Sequence, residues 1–377
     1  MSEQHTAGEG YAAAGVDYRK IEPFKRLMIG VAKRTAAYPE RRGVKVETGV
    51  LHSHGGVYAY QGEAPHLWCK TIEGLGNKNW IAEWMYRYGG EGRSYYEAMG
   101  FDTAMMAVND CIAQGAMPVI FEDLIDADDS DWFHDEVRAG DLASGFLAAC
   151  DAAGMALVAG ESAALRYLLR PTPPVESAAA LSCAVTGLIA PKARLVTGEK
   201  LCPGDRIIGI ASSGLHANGA SLAINIGLAL PDQFLTKLPS GRTLGEALLV
   251  PTLCYVGLIE LLLDARVEIH ALLPGTGSGV AKLAFDDRRH TYRVHSWPEV
   301  PEIFQFFRET GLSIEDCLTT FNWGIGYYIF VPAHEAERTV SLAQEAGYAA
   351  LEVGEVEAGE RSVVFMPEAL TLRPPGS

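Results

Sequence analysis

Short apolar runs alternate with helix-period stretches along almost the whole chain, and this alternation narrows the choice of fold more than any other feature. VKVETGVL and GGVYAYQ alternate apolar and polar residues, as half-buried strands do. PVIFEDLI, MALVAG, LSCAVTGLI, DRIIGIASSG, GYYIFVP, AALEVGEVE and SVVFMP are apolar runs of strand length. Between them the spacing predicts helices over 17–37, 95–114, 131–153, 217–227, 244–264 and 334–347. In the second of these, Phe101, Met105, Val108 and Ile112 recur at helical spacing and define one buried stripe. VAKLAFDD is expected to open a further helix, and the proline-rich 170–177 to form an exposed loop. Strands and helices interleave in both halves, which predicts an α+β (α/β two-domain) protein divided into residues 1–190 and 191–377.

Charge and cysteine usage then exclude several classes of function. The 377 residues carry 31 Lys and Arg against 47 Asp and Glu, a net charge of -16. Such acidity argues against binding duplex nucleic acid or an anionic membrane, because both present negative charge. It leaves a nucleotide enzyme open, since a small phosphate needs only a local cradle. No run of about 18 apolar residues occurs, so no membrane span is expected. The first fifteen residues are small and polar, and the expectation is a flexible arm without an apolar signal region. Seven scattered cysteines without a C-x-x-C predict core thiols and a cytoplasmic setting rather than a disulfide framework.

Several constellations could carry chemistry. Asp102 and Asn109, seven apart, share a helix face, with Asp110 about 100° round from Asn109. Asp110 opens a D-x-x-x-x-G-A-x-P pattern ending at Pro118, and the strand beyond carries Glu122 and Asp123. Oxygen donors grouped this way suit Mg²⁺ with a substrate phosphate, or form a solvated acidic face. Glu73-Gly74-Leu75-Gly76-Asn77-Lys78 follows an apolar strand; its glycines allow close backbone approach to an anion and Lys78 supplies charge. Gly275-Thr276-Gly277-Ser278-Gly279 lies between a strand and a helix, as a phosphate turn or a tight structural turn. Ser212–Gly219 (S-S-G-L-H-A-N-G) could bind phosphate, offer His216 as acid or base, or simply cap a helix before a surface histidine. His52, His54 and His66 have a spacing that could hold zinc, though ordinary solvent-facing histidines fit it as well.

Taken together and in order, these pieces resemble the phosphoribosylformylglycinamidine cyclo-ligase, or aminoimidazole ribonucleotide (AIR) synthetase, family. Tyr11-x-x-Ala14-Gly15-Val16-Asp17 is similar to its N-terminal signature, and Val108-Asn109-Asp110 with Gly115-Ala116-x-Pro118 resembles its D-x4-G-A-x-P helix. Gly160-Glu161-Ser162-Ala163 resembles G-E-T-A, and Ser212–Gly219 resembles S-S-G-L-H-x-N-G. Thr276–Gly279 resembles T-G-G-G, and Thr320–Gly326 resembles T-F-N-x-G-x-G. The chain departs from the pattern where D-G-V-G-T-K reads Glu73–Lys78, where 80–94 adds residues, where 165–174 replaces M-P-G-M-Y, and where Pro274 replaces a histidine.

The resemblance implies an AIR synthetase-like fold. Its N-terminal ATP-binding domain contributes strands to a barrel shared across a homodimer, with flanking helices, and its C-terminal domain is α/β. It implies ATP-dependent ring closure of formylglycinamidine ribonucleotide, in purine biosynthesis, through a phosphorylated amide oxygen. The alternative is a superfamily relative that phosphorylates another amide, acid or carbamoyl substrate. On this resemblance Glu73, Asp102, Asp110 and Asp123 would hold Mg²⁺, and Glu73, Gly74, Gly76, Lys78, Asp102, Asn109 and Asp110 would bind ATP. Ser213, His216, Asn218, Thr276, Gly277 and Asn322 would meet the substrate, with Asp110, Glu161 and His216 catalytic.

Overall fold

The computed structural model describes residues 14–50, 56–62 and 65–375; Tyr11, His52, His54 and most of the expected N-terminal arm lie outside them. The chain divides into two compact units. One comprises Met1–Gly62, Lys70–Ala107 and Pro118–Thr186; the other comprises Glu63–Cys69, Val108–Met117 and Gly187–Ser377. The second unit thus takes two short pieces from the N-terminal half.

The first unit is built on a four-stranded sheet ordered β3-β6-β4-β5, with β3 Leu67–Gly74, β4 Met117–Ala127, β5 Ala156–Ala164 and β6 Ala179–Ile189. Two short strands, β1 (Val44–Val46) and β2 (Tyr58–Tyr60), pair antiparallel beside it in sequence. Its principal helices are α1 (Tyr18–Thr35), α2 (Lys78–Tyr88), α3 (Tyr96–Cys111) and α4 (Glu136–Ala153). Asp17 starts α1 because its carboxylate accepts the Arg19 N–H at 3.0 Å, and Ile21, Phe24, Met28 and Val31 then form the buried stripe. The single helix expected over 131–153 is interrupted. Asp135 is extended, and its Oδ1 accepts the Arg138 N–H at 2.9 Å, so it caps a fresh helix rather than continuing the old one. Residues 78–88, read in sequence as cradle and spacer, form helix α2.

The second unit carries a seven-stranded sheet ordered β13-β12-β9-β11-β7-β10-β8. The strands are β7 (Arg206–Ala211), β8 (Ala271–Pro274), β9 (His290–Val294), β10 (Ile325–Val331), β11 (Ala350–Ala358), β12 (Ser362–Phe365) and β13 (Leu370–Leu372). Antiparallel pairing dominates, and β12 runs parallel to β9. Helices α5 (Ala220–Ala229), α6 (Val256–Asp264), α7 (Glu302–Glu309), α8 (Ile314–Thr320) and α9 (Ala336–Glu345) accompany it. The helix expected over 244–264 stops at Leu248 and resumes at Val256, because Pro251 disfavours the helical conformation at Val250 and brings no N–H of its own. VAKLAFDD yields a 3-10 segment, Gly279–Ala284. The helix expected from 217 begins at Ala220, since His216 and Gly219 adopt φ of 59° and 89°.

The D-x-x-x-x-G-A-x-P pattern ends α3 through a 3-10 turn, Ile112–Gln114, into Gly115 at φ 75°. A side chain at Gly115 would collide with the Arg194 carbonyl, and the Val196 N–H donates to the Gln114 carbonyl at 3.1 Å. The passage of residues 194–196 over this turn is what demands glycine there. No described helix is long and apolar enough to cross a membrane, and all seven cysteines are free thiols.

Candidate active site

In the first unit, β3 runs out at Gly74, and the Leu75 N–H is held by the Leu181 carbonyl at 2.9 Å. Gly76 turns at φ 74°, a left-handed value that favours glycine, and delivers Lys78 to the first turn of α2. Lys78 points inward: its Nζ lies 2.5 Å from Asp102 Oδ2, and neither side chain has any exposed surface. The residue expected to face phosphate and a residue expected to face metal are therefore joined to each other. Farther along α2, Glu83 accepts from Tyr96 Oη and Trp132 Nε1, each at 2.7 Å, and pairs with Arg138 at 3.1 Å. Burial raises the Glu83 carboxyl, with the Arg138 charge opposing. This network anchors α2.

The parallel register of β4 and β5 sets Asp123 beside Gly160 and Leu124 beside Glu161. Paired residues share a face, so Glu161 stands on the exposed face with Leu124 while Asp123 is buried on the other. Any Cβ at Gly160 would collide with the Asp123 carboxylate. Asp123 Oδ1 is buried with no hydrogen-bond partner among the described residues, and burial lifts this carboxyl to about 7, the Glu161 charge adding to the effect. The Cys183 thiol is pushed up to about 12 by burial, helped by the charges of Asp123 and Glu73. Those two acids therefore act on one region. Glu73, Asp102 and Asp123 do not close into a ready-made cluster; the group of metal-type donors that converges among the described residues lies elsewhere in the chain.

The second unit assembles most of the other candidates. Asn109 Oδ1 accepts the Tyr255 N–H at 3.2 Å and its Nδ2 donates to the Leu253 carbonyl at 2.9 Å, so Asn109 clamps the segment after Pro251. Its neighbour Asp110 is half-buried. Burial pushes the Tyr327 hydroxyl well above its ordinary range, and the Asp110 charge adds to that.

The S-S-G-L-H-A-N-G loop is tied to the F-N-W-G-I-G segment by one side chain. Asn322 Oδ1 accepts from Ser212 Oγ at 3.0 Å and from the Gly324 N–H at 2.9 Å, while its Nδ2 donates to the Gly214 and Leu215 carbonyls at 2.8 and 3.2 Å. His216 is buried rather than on the surface, and its Nε2 accepts the Ser213 N–H at 3.2 Å. That geometry places the ring proton of a neutral imidazole on Nδ1. Ser213 Oγ donates to the Pro251 carbonyl. Gly326 lies under this assembly, where a Cβ would strike Tyr255 Oη and His216 Cε1.

Asn218 completes the loop. Its Nδ2 is buried and has no hydrogen-bond partner among the described residues, and its Oδ1 is 3.9 Å from the position a Cβ would take at Gly277. Loop and glycine turn therefore meet. Gly277, Ser278 and Gly279 all have left-handed φ, at 51°, 60° and 55°, and Thr276 Oγ1 accepts from Lys282 Nζ at 2.7 Å. Lys282 escaped the sequence reading; a basic residue a few positions beyond a glycine turn was the available signal. His66 is half-buried and edge-on to Trp68; His52 and His54, the other two histidines of that reading, lie outside the described residues.

Two family models cover most of the chain. "AIR synthase related protein, N-terminal domain" matches residues 71–189, and "AIR synthase related protein, C-terminal domain" matches 202–367. The fold is similar to that of a thiamine-monophosphate kinase from Stenotrophomonas maltophilia K279a, with a TM-score of 0.59, 19% identity and coverage of 90% of this chain and 96% of that one. The class is thus that of the AIR synthase-related enzymes. The phosphoribosylformylglycinamidine cyclo-ligase of Symbiobacterium thermophilum is 34% identical over 367 residues, 94% of this chain and 96% of its own. That of Thermococcus gammatolerans is 32% identical over 349 residues, 92% and 95% of the two chains. The chain belongs to the phosphoribosylformylglycinamidine cyclo-ligase family.

Proposed function

We propose that this enzyme closes the imidazole ring of formylglycinamidine ribonucleotide with ATP, giving aminoimidazole ribonucleotide, ADP and phosphate. The observation that carries the reading is the second-unit site, where Asn322 braces the S-S-G-L-H-A-N-G loop and Asn218 presents a buried, unpartnered amide beside the Thr276–Gly279 turn. An unsatisfied buried donor is costly, and a ligand oxygen would satisfy it. Lys282, on Thr276, adds positive charge for an anionic substrate group.

The chemistry follows from the leaving group. A formamide oxygen leaves poorly; transfer of the γ-phosphoryl group to it, with ADP departing, turns it into phosphate. The amidine nitrogen then attacks that carbon and phosphate leaves. The protein supplies position and charge neutralisation. His216 holds the loop through Ser213. Gly74 and Gly76 allow backbone approach to phosphate. Asp110 contributes a charge at the end of α3.

Mg²⁺ fits the first unit at Asp123, whose buried oxygen lacks a hydrogen-bond partner among the described residues, with Glu73 acting on the same region. When bound, the ion would neutralise phosphate charge. Asp102, paired through Oδ2 with Lys78, ties α2 to α3. A homodimer built on the sheet of the first unit is supported by the apolar Ile72 and Leu124 on its exposed face. A cytoplasmic setting suits the free thiols.

The test is a steady-state assay with formylglycinamidine ribonucleotide, ATP and Mg²⁺. Aminoimidazole ribonucleotide should appear in step with ADP. ATP turnover without that product would reject the substrate.

A further inference from the structure

A second constellation lies at the opposite ends of strands β7 and β8 from the loops just described. Cys202 and Asp205 belong to the C-P-G-D turn that leads into β7, and His270 immediately precedes β8. Both strands pair antiparallel with β10, Arg206 opposite Val331 and Ala271 opposite Phe330, so the residues before them emerge at the same edge of the sheet. The Asp205 carboxylate is 2% exposed. It accepts the Cys202 N–H at 2.9 Å, and its oxygens lie 2.8 and 2.9 Å from His270 Nδ1. Cys202 Sγ is 3.7 Å from Asp205 Oδ1. One ligand atom from each of the three residues falls within 4.8 Å of the others, and among the described residues this is the group that does so.

The donor set is specific in kind. A thiolate, an imidazole and a carboxylate match a borderline-soft ion of the zinc class, whereas Mg²⁺ and Ca²⁺ take oxygen alone. Metal–ligand bonds of about 2.0–2.3 Å separate tetrahedral neighbours by roughly 3.3–3.7 Å, so small rotations of these side chains would admit the ion. The far side of the imidazole is also equipped. His270 Nε2 is 3.5 Å from Glu268 Oε1, and Glu268 is held by Lys200 Nζ at 3.6 Å. A histidine that ligates through one nitrogen commonly donates its other N–H to a carboxylate, which fixes the ring.

We propose that Cys202, Asp205 and His270 form a binding site for a zinc-class divalent ion, with Glu268 orienting the imidazole and solvent filling the open position on the exposed cysteine side. Binding releases the Cys202 thiol proton to solvent. The neutral imidazole then carries its single N–H on Nε2, facing Glu268. The site is independent of the nucleotide chemistry proposed above.

The experiment uses the full-length chain, stripped by chelator and titrated with Co²⁺ and then Zn²⁺. The wild type should bind one equivalent of Co²⁺ with a thiolate-to-cobalt charge-transfer band, and Zn²⁺ should abolish that band by displacement. Cys202→Ser should lose the band, and Cys254→Ser should keep it. Glu268→Gln should weaken binding about 10-fold and His270→Gln by at least about 100-fold, with unchanged far-ultraviolet dichroism. Should His270→Gln fail to fold, Cys202→Ser decides, because Cys202 is exposed. No charge-transfer band in the wild type, or a band that survives Cys202→Ser, overturns the proposal.

Discussion

The Lys78 ammonium lies 2.5 Å from the Asp102 carboxylate with neither group open to solvent. Removing one partner of such a pair strands a buried charge, which costs about 3–5 kcal/mol, whereas an apolar replacement of both can be nearly neutral. Lys78→Met and Asp102→Leu should each lower unfolding free energy by about that amount, and the double variant should recover most of it. Urea denaturation of the four proteins checks this; additive losses would show that the charges do not depend on each other.

Burial raises the Asp123 carboxyl from 3.8 to about 7. Between those values the folded chain holds a proton that the unfolded chain has lost. The contribution to stability is therefore complete below 3.8 and disappears as pH rises through about 7. Asp123→Asn stays neutral throughout. Measured without Mg²⁺, the variant should gain on the parent by about 1–4 kcal/mol between about pH 4 and pH 8. Parallel stability curves would place the Asp123 carboxyl in an ordinary aqueous setting.

Asn218 Nδ2 has no hydrogen-bond partner among the described residues. Asn218→Ala should therefore change stability by less than about 1 kcal/mol while raising KM for the ribonucleotide about 10-fold, the worth of one hydrogen bond. A large fall in Tm with unchanged KM would make Asn218 a purely structural residue.

Much of the fold was readable from pattern. Asp17 ahead of an apolar stripe gave the start of α1, and Met105, Val108 and Ile112 lie on the buried face of α3 and its closing turn as their spacing predicts. The breaks at Asp135 and Pro251 came from local bonds that compete with helix, a cap in one case and a missing donor in the other. Helix α2 carries its own signal in the spacing of Ile81, Trp84 and Met85, a buried helical stripe within residues that the family pattern lacks. At the site, periodicity put Asp102 and Asn109 on one helix face, and both are buried. It could not reveal that Asp102 answers Lys78, twenty-four residues away, while Asn109 clamps residues 253–255. Such partners are chosen by tertiary packing, which leaves no local period.

Gly326 is enclosed by Tyr255 Oη and His216 Cε1, two ring systems that cannot swing aside cheaply. Gly326→Ala should lower stability by about 1–3 kcal/mol and reduce turnover by displacing His216. Thermal unfolding alongside kcat tests the pairing of the two effects. A wild-type Tm would mean that the loop yields.

Asp110→Asn removes a carboxylate charge while keeping its shape, and should reduce kcat about 100-fold with the fold intact. Single-turnover kinetics provide the measurement. An unchanged rate would take Asp110 out of the chemistry.

Gly115 bears on how the motif around it is understood. Its bareness is enforced by the Arg194 carbonyl crossing above, so the letter G records a traffic rule between two stretches of chain and says nothing by itself about phosphate. Anyone re-engineering the segment around Arg194 would be editing the end of α3 as well, and with it the footing on which Asn109 and Asp110 stand.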